Sequence, residues 1–225
     1  MNCKLVIFDL DGTLIDTIGD LGAAANVALS GRGYPLHDPE AYRGMVGHGV
    51  RNLMKKAMPE ALREDEALLD ALLADFLAYY IEHIDDRSRP YPGIPELLSD
   101  LTATGVKVAV ASNKFQAGTE KLIRRFFPEI PFAAVRGGQD GVPLKPDPAV
   151  LRAIMAEAGA GAGETVMVGD SGTDIATAAA AGIPSVAVTW GFRPEEALRA
   201  ADHIARSISE LRGILMNGDC AGRAK

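Results

Sequence analysis

The sequence has little cysteine, no run of basic residues and no long apolar segment. Its two cysteines, Cys3 and Cys220, lie near opposite ends of the 225-residue chain. Because so few and so distant cysteines provide no disulfide framework, we expect a reducing compartment, the cytoplasm. The 30 acidic and 23 basic residues give a net charge of −7, which argues against nucleic acids and anionic membranes as partners.

No apolar stretch approaches the roughly 18 residues of a membrane-spanning helix. The apolar run at residues 5–8 is shorter than the roughly 7 to 15 residues of a signal-peptide core, and aspartates follow it. We therefore expect no targeting segment. The sequence also lacks a Gly-x4-Gly-Lys-Ser/Thr loop, which excludes a P-loop nucleotide hydrolase.

Length and composition favour a folded chain with an insertion. Hydrophobic residues make up 48% of the sequence and charged residues 24%, which excludes extensive disorder. At about 150 residues per domain, the length corresponds to about one and a half domains. We therefore expect one domain that carries an inserted segment.

Short apolar segments bounded by turn residues predict buried parallel strands at residues 5–8, 106–111, 165–168 and 185–188, with a weaker one at 132–135. Helical patterns separate most of them, at about 116–127 and from Pro148, for which Asp147 is the expected N-cap. A capping box at residues 207–210 predicts a final helix, and the tail after about 218 is expected to fray. This alternation predicts an α/β fold with a doubly wound, mainly parallel, Rossmann-like sheet.

Residues 17–87 interrupt the alternation, because they show only helical periodicity, most clearly between Leu69 and Ile84. The proline-rich segment 89–95 cannot continue a helix and marks the exit of this insertion. We therefore expect an α/β core formed by residues 1–16 and 88–225 and a small helical cap domain formed by residues 17–87.

Polar residues follow several predicted strands. The candidates are Asp9, Asp11, Thr13, Ser112, Asn113, Asp170 and Asp174, with Lys145 in a Lys-Pro-Asp-Pro segment. Because ligands of open α/β sheets lie beyond the carboxyl ends of the strands, we expect these groups to converge. Carboxylates that lie so close together repel one another unless a cation lies among them. A set of oxygen ligands favours Mg²⁺ as that cation. Each segment alone is also typical of a turn or a helix cap, so the prediction rests on the combination.

Together these residues resemble the four motifs of the haloacid dehalogenase (HAD) superfamily of phosphatases. The first motif is matched by residues 8–13, the second by Ser112, the third by Lys145 and the fourth by Gly169 and Asp170 with Asp174. The resemblance covers the whole chain, and the helical insertion is similar to the small cap of that family. It implies an HAD-like core that hydrolyses phosphate monoesters with Mg²⁺ as cofactor.

The resemblance also implies a role for each position. Asp9 would attack phosphorus and form an aspartyl-phosphate, and Asp11 would protonate the leaving alcohol and then activate water. Mg²⁺ would bind Asp9, Asp170 and the backbone carbonyl of Asp11, with Asp174 orienting the outer shell. The phosphate would be held by Thr13, Ser112, Asn113 and Lys145. Asp11 favours phosphate chemistry over dehalogenation, because a halide leaves without a proton.

Residues 9–20 and 45–53 are similar to phosphatases of bacteria that act on phosphoglycolate, which makes this small phosphorylated acid the expected substrate. Arg51 and His48 are the candidates for substrate specificity; the alternative is that Arg51 is a solvated helix residue. Related phosphatases of a phosphosugar, nucleotide or pyrophosphate stay open, as do a phosphomutase and a non-catalytic phosphate-binding protein. Monomer and homodimer are equally compatible with the sequence.

Overall fold

The computed structural model describes residues 3–216, which contain a six-stranded parallel sheet. Its strands are β1 Leu5–Phe8, β4 Lys107–Phe115, β5 Ala134–Gly138, β6 Thr165–Gly169, β7 Ser185–Val188 and β8 His203–Ala205. Their order across the sheet is β5-β4-β1-β6-β7-β8. Two further strands, β2 Ile15–Asp16 and β3 Arg89–Pro90, form a separate antiparallel pair. The predicted fray after residue 218 and Cys220 lie outside the described residues.

The central strand β1 is fully buried, and its side chains alternate between two cores. Val6 and Phe8 belong to the larger core, which includes the inserted helices, whereas Leu5 and Ile7 pack into a second core. A strand that is covered on both faces requires a continuous apolar run rather than an alternating one. This requirement explains why apolar segments of the sequence predict β1, β4, β6 and β7, whereas the edge strand β8 was not predicted.

Helices cover the sheet on both faces, as the predicted fold class requires, and that prediction is confirmed. The core helices are α5 Ile94–Ala103, α6 Gln116–Phe126, α7 Ala149–Ala158, α8 Gly172–Ala181 and α9 Ile208–Met216. Leu97 and Leu98 of α5 pack into the larger core, whereas Leu151 and Ile154 of α7 pack into the second.

Four helices lie between β2 and β3: α1 Ile18–Ser30, α2 Pro39–Arg43, α3 Val50–Ala57 and α4 Glu66–His83. We call residues 17–87 the helical insert; all of them are described, and none is in a strand. The β2–β3 pair joins its two ends, with Ile15 opposite Pro90. Asp20 strengthens this junction, because its carboxylate accepts hydrogen bonds from the backbone of Arg87 and from Ser88 Oγ. The exact domain boundaries stay a prediction.

Several predicted boundaries were wrong. Strand β4 continues past residue 111 to Phe115, so that Ser112 and Asn113 lie inside it. The weak strand at 132–135 begins instead at Ala134 and ends at Gly138. Helix α7 begins at Ala149, one residue after the predicted start at Pro148. The N–H of Ala149 donates to the Asp147 carboxylate. For the two strands, pairing between β4 and β5 rather than local polarity determines these boundaries.

No helix within residues 3–216 is both long and apolar enough to cross a membrane.

Candidate active site

Asp9 and Asp170 lie beyond the ends of two adjacent strands. Strand β1 pairs with β4 on one side and β6 on the other, and Phe8 is in register with Val168. The chain runs outward through β4 and β5 and then returns to β6, so the carboxyl ends of β1 and β6 form the switch point of the sheet. Such a point is the usual ligand site of an open α/β fold.

The loop after β1 is tightly turned, which lets its backbone approach Asp170. The N–H of Gly12 donates to the carbonyl of Ile15 at 2.9 Å. Gly12 has a φ of 84°, and a Cβ at this position would lie 2.5 Å from Asp170 Oδ2. Glycine is therefore required here both by backbone conformation and by space.

Lys145 lies between two carboxylates. Its Nζ is 2.9 Å from Asp9 Oδ1 and 2.6 Å from Asp174 Oδ1. The lysine side chain is only 3% exposed, so water screens these charges little. Asp174 is fixed further by Ser171, whose Oγ donates to Asp174 Oδ2 at 2.6 Å in the capping box of α8. The predicted convergence of Asp9, Lys145 and Asp174 is therefore observed.

Burial and repulsion between carboxylates make Asp9 and Asp170 hard to ionise. Burial raises the pKa of Asp9 to about 7; Lys145 opposes this shift, and Asp174 adds to it. Burial also raises the pKa of Asp170 to about 8, with repulsion from Asp9 and Asp174. Burial alone would lower the pKa of Lys145, but Asp174 and Asp9 outweigh burial and raise it above its usual range. Groups so strongly perturbed in a cleft are typical of functional sites.

These carboxylates could hold a metal ion. One oxygen from each of Asp9, Asp170 and Asp174 lies within 4.8 Å of the others. A purely carboxylate donor set fits a hard cation such as Mg²⁺, and a cation there would offset the repulsion that raises the two pKa values. Asp174 is closer to Asp9 and Asp170 than its expected outer-shell role requires, although Lys145 and Ser171 already occupy its two oxygens.

Mg²⁺ binding is expected to strengthen with pH. Near pH 6 protons occupy Asp9 and Asp170 in the metal-free protein, because their pKa values are about 7 and 8. The ion must displace these protons, so we expect its affinity to rise by about tenfold or more between pH 6 and pH 8. Calorimetric titration in two buffers of different ionisation enthalpy measures both the affinity and the released protons.

The same raised pKa values predict how the stability of the metal-free protein depends on pH. Both groups have folded-state pKa values above the ordinary 3.8, so the folded protein binds more protons than the unfolded chain between about pH 4 and pH 8. Their contribution to stability is therefore greatest at low pH and is lost across this window. For the metal-binding prediction, equal Mg²⁺ affinity at pH 6 and pH 8, without proton release, would contradict the assignment of Asp9 and Asp170 as ligands of the ion.

The expected phosphate ligands differ in how the structure uses them. Ser112 and Asn113 line the same cavity as Asp9. Ser112 Oγ accepts a hydrogen bond from the backbone of Lys114 at 3.2 Å. The Asn113 amide donates to the carbonyls of Gly47 and Lys145, which ties the insert to the core. Thr13 is fully buried but is not part of the cavity wall.

The cavity also has an apolar wall and a guanidinium that sequence reasoning missed. Its apolar lining comes from Leu21, Val46, Val50, Leu53 and Phe192. Arg193, in the loop after β7, lines the cavity and donates to the carbonyls of Arg43 and Val46 in the insert. Nothing in the sequence distinguishes this arginine from a solvated one, because its position depends on the packing of insert against core.

The structure does not bring the predicted specificity residues into the cavity wall. Arg51 is exposed and pairs with Glu66 and Asp70 of α4, as in the alternative interpretation of a solvated helix residue. His48 also lies outside the wall. Burial lowers the pKa of His48, and the charges of Lys56 and Arg193 lower it further.

Asp11 has two side-chain partners, and the sequence analysis predicted neither of them. Thr17 Oγ1 donates to Asp11 Oδ1 at 2.7 Å. Lys114 Nζ lies 3.0 Å and 3.2 Å from the two oxygens of the same carboxylate. Asp11 and Lys114 both face the cavity. The site thus brings together Asp9 and Asp11, a cluster of carboxylates that could hold a metal ion, and the buried cations Lys145 and Lys114.

Comparisons with known proteins agree with this arrangement. A family model described as "Haloacid dehalogenase-like hydrolase" matches residues 6–188. A Mesorhizobium japonicum protein named phosphoglycolate phosphatase is 40% identical over 193 residues, covering 85% of each chain. A protein of the same name from Rhodospirillum rubrum is 38% identical over 197 residues, covering 85% of this chain and 82% of its own. A crystal structure of a predicted phosphoglycolate phosphatase from Haemophilus somnus has a TM-score of 0.86 at 29% identity, covering 97% of this chain and 99% of its own. The chain therefore belongs to the haloacid dehalogenase-like hydrolase family, as the resemblance of its motifs indicates.

Proposed function

We propose that this protein is a Mg²⁺-dependent phosphatase that hydrolyses 2-phosphoglycolate to glycolate and inorganic phosphate. The observation that carries the chemistry is the placement of Lys145 between Asp9 and Asp174, next to Asp170. The names of the relatives support the choice of substrate.

The reaction is two displacements at phosphorus. A carboxylate oxygen of Asp9 bonds to phosphorus while the bond to the glycolate oxygen breaks, and Asp11 gives its proton to that oxygen. Asp11 then takes a proton from the water that attacks the aspartyl-phosphate, which frees Asp9 and phosphate. Lys145 stabilises the negative charge of the transferred group, with Ser112 and Asn113 beside it. Mg²⁺, held by Asp9, Asp170 and the Asp11 backbone carbonyl, would neutralise charge on the phosphoryl oxygens.

The lining of the cavity is suited to an anionic substrate. Lys145 and Lys114 lie in its wall together with Ser112 and Asn113. The cavity also presents Arg193, a cation of the kind that binds carboxylates.

A panel of esters tests the proposal. Phosphate release is measured with and without Mg²⁺ from phosphoglycolate, a hexose phosphate, a nucleoside monophosphate, pyrophosphate and p-nitrophenyl phosphate. The highest kcat/KM is expected for phosphoglycolate, and only with the metal. A hexose phosphate that is isomerised rather than hydrolysed would identify a mutase, and release from none of these compounds would favour a non-catalytic phosphate-binding protein.

Two arginine variants test how the substrate carboxylate is recognised. We expect Arg193→Met to raise the KM for phosphoglycolate by about tenfold or more, because a charge-assisted hydrogen bond is lost. The KM for p-nitrophenyl phosphate, which has no carboxylate, should change much less. Arg51→Met is the matched comparison, since Arg51 pairs with Glu66 and Asp70 outside the cavity. A larger KM effect from Arg51→Met would assign the specificity role to Arg51, as the sequence predicts.

The Mg²⁺ requirement, the cytoplasmic location and the absence of nucleic-acid and membrane partners stay predictions of this proposal.

A further inference from the structure

Lys114 is a buried cation that the two displacements do not use. It lies on β4, two residues after Ser112, and its side chain is 1% exposed. Its Nζ contacts both oxygens of Asp11, at 3.0 Å and 3.2 Å. A buried lysine is costly unless it is paired, so this contact holds both side chains in place.

The same lysine is tied to the helical insert through an aromatic ring. Lys114 Nζ lies 4.8 Å from the centroid of Tyr80, a fully buried residue of α4. The centroid of the Tyr80 ring lies 5.1 Å from that of Phe76, in a stacked arrangement. It lies 6.1 Å from the centroid of Phe115, in an edge-to-face arrangement. The ring is thus fixed from the insert and from β4, and a cation over its face is attracted to it.

From this geometry we propose that Lys114 is a positioning residue for Asp11, with Tyr80 of the insert fixing the position of Lys114. The inference rests on the proposed function and adds a residue to it. Lys114 Nζ contacts both oxygens of Asp11, and Thr17 Oγ1 donates to Oδ1 of the same carboxylate. These contacts hold the Asp11 side chain in one orientation, so it needs no reorganisation when it transfers a proton to the leaving oxygen. Lys114 therefore assists the departure of an alcohol and does not act on the phosphoryl group.

This role predicts a dependence on the leaving group that a merely structural lysine would not show. The alkoxide of glycolate needs a proton to depart, whereas p-nitrophenolate departs without one. Lys114→Met should therefore slow the first displacement on phosphoglycolate by about 10²-fold, a typical loss for proton transfer. The pre-steady-state burst of p-nitrophenolate should keep its amplitude and change in rate by less than about threefold.

The measurements are single-turnover release of glycolate by rapid quench and the p-nitrophenolate burst by stopped flow, both on the Mg²⁺-loaded protein. An unchanged burst also shows that the variant is folded with an intact nucleophile. Asp11→Asn should show the same leaving-group pattern. In that background Lys114→Met should cause no further loss on phosphoglycolate, because the lysine acts through Asp11.

Lys121→Met is the matched control. Lys121 also joins the core to α4, since its Nζ donates to the carbonyl of Ile81 at 2.6 Å, but it contacts no residue of the site. Both esters should react with this variant at the parent rate. Tyr80→Leu should reproduce the Lys114→Met pattern with a smaller loss.

Three results would overturn the inference. Equal slowing of both esters by Lys114→Met would place Lys114 on the phosphoryl group or in the fold. Unchanged rates on both esters would leave it without a role in the reaction. A parent protein that releases phosphate from neither ester would contradict the proposed function, and the inference with it.

Discussion

Asp9→Asn is expected to reduce phosphate release by about 10³-fold or more on every ester, because it removes the attacking oxygen. The expected loss does not depend on the leaving group, since both displacements form or break the bond to Asp9. Rapid acid quenching after exposure to a radiolabelled ester should trap phosphoprotein with the parent and none with the variant.

The variant should nevertheless stay folded. The pKa of Asp9 is raised to about 7, so an ionised Asp9 destabilises the metal-free protein at pH 8, and a neutral amide relieves that cost. We expect the metal-free variant to unfold at or above the parent's midpoint at pH 8. Asp70→Asn is the matched control, because it makes the same change at an exposed ion pair with Arg51. Trapped phosphoprotein in Asp9→Asn would exclude Asp9 as the nucleophile.

Lys145→Met is expected to lower both turnover and stability. Turnover should fall by about 10²–10³-fold, because the charge developing on the phosphoryl group loses a fixed cation. The substitution also leaves Asp9 and Asp174 facing each other without the ammonium that now separates them. Breaking a buried pair in this way costs about 3–5 kcal/mol of unfolding free energy.

The stability loss should depend on conditions. Mg²⁺ should restore much of it, because the ion supplies positive charge among the same carboxylates, but turnover should stay low. At pH 5 the loss should be smaller, since a raised pKa keeps Asp9 protonated there and removes the repulsion. Thermal unfolding at pH 5 and pH 8, with and without Mg²⁺, measures all four states.

Lys107→Met is the matched control for this experiment. Lys107 donates to the carbonyl of Ala158 at 2.7 Å and has no role in the site, so its replacement should leave turnover unchanged. A Lys145→Met protein as stable as the parent at pH 8 without metal would contradict the electrostatic account of the site.

Much of the core could be predicted because its strands are buried on both faces. The prediction for β1 matches the observed bounds, and that for β6 is one residue short. The end of β4 could not be predicted, since its last residues are polar and Phe115 is kept in the sheet by pairing with Gly138. The β2–β3 pair was missed because strands of two residues have no local signal and because β3 contains a proline.

The candidate site, like the sheet, could be predicted only in part. The proximity of Asp9, Asp170 and Lys145 could be predicted, because each belongs to a motif that is recognisable in the sequence. Lys114 and Arg193 could not, because both are single basic residues that gain a role only where the insert packs on the core. Lys114 meets Tyr80 of α4, and Arg193 meets the backbone of Arg43 and Val46.

The β2–β3 pair also bears on how such an enzyme can diversify. Because Ile15 pairs with Pro90, the two ends of the insert are neighbours, and a segment of different length or sequence can replace it without displacing Asp9. Recombination at this junction would exchange the part of the cavity wall that the insert supplies. The replacement would remove Thr17 and Tyr80, the insert residues beside Asp11 and Lys114. A successful graft must therefore bring its own support for the proton-transfer carboxylate, which limits the inserts that this core can accept.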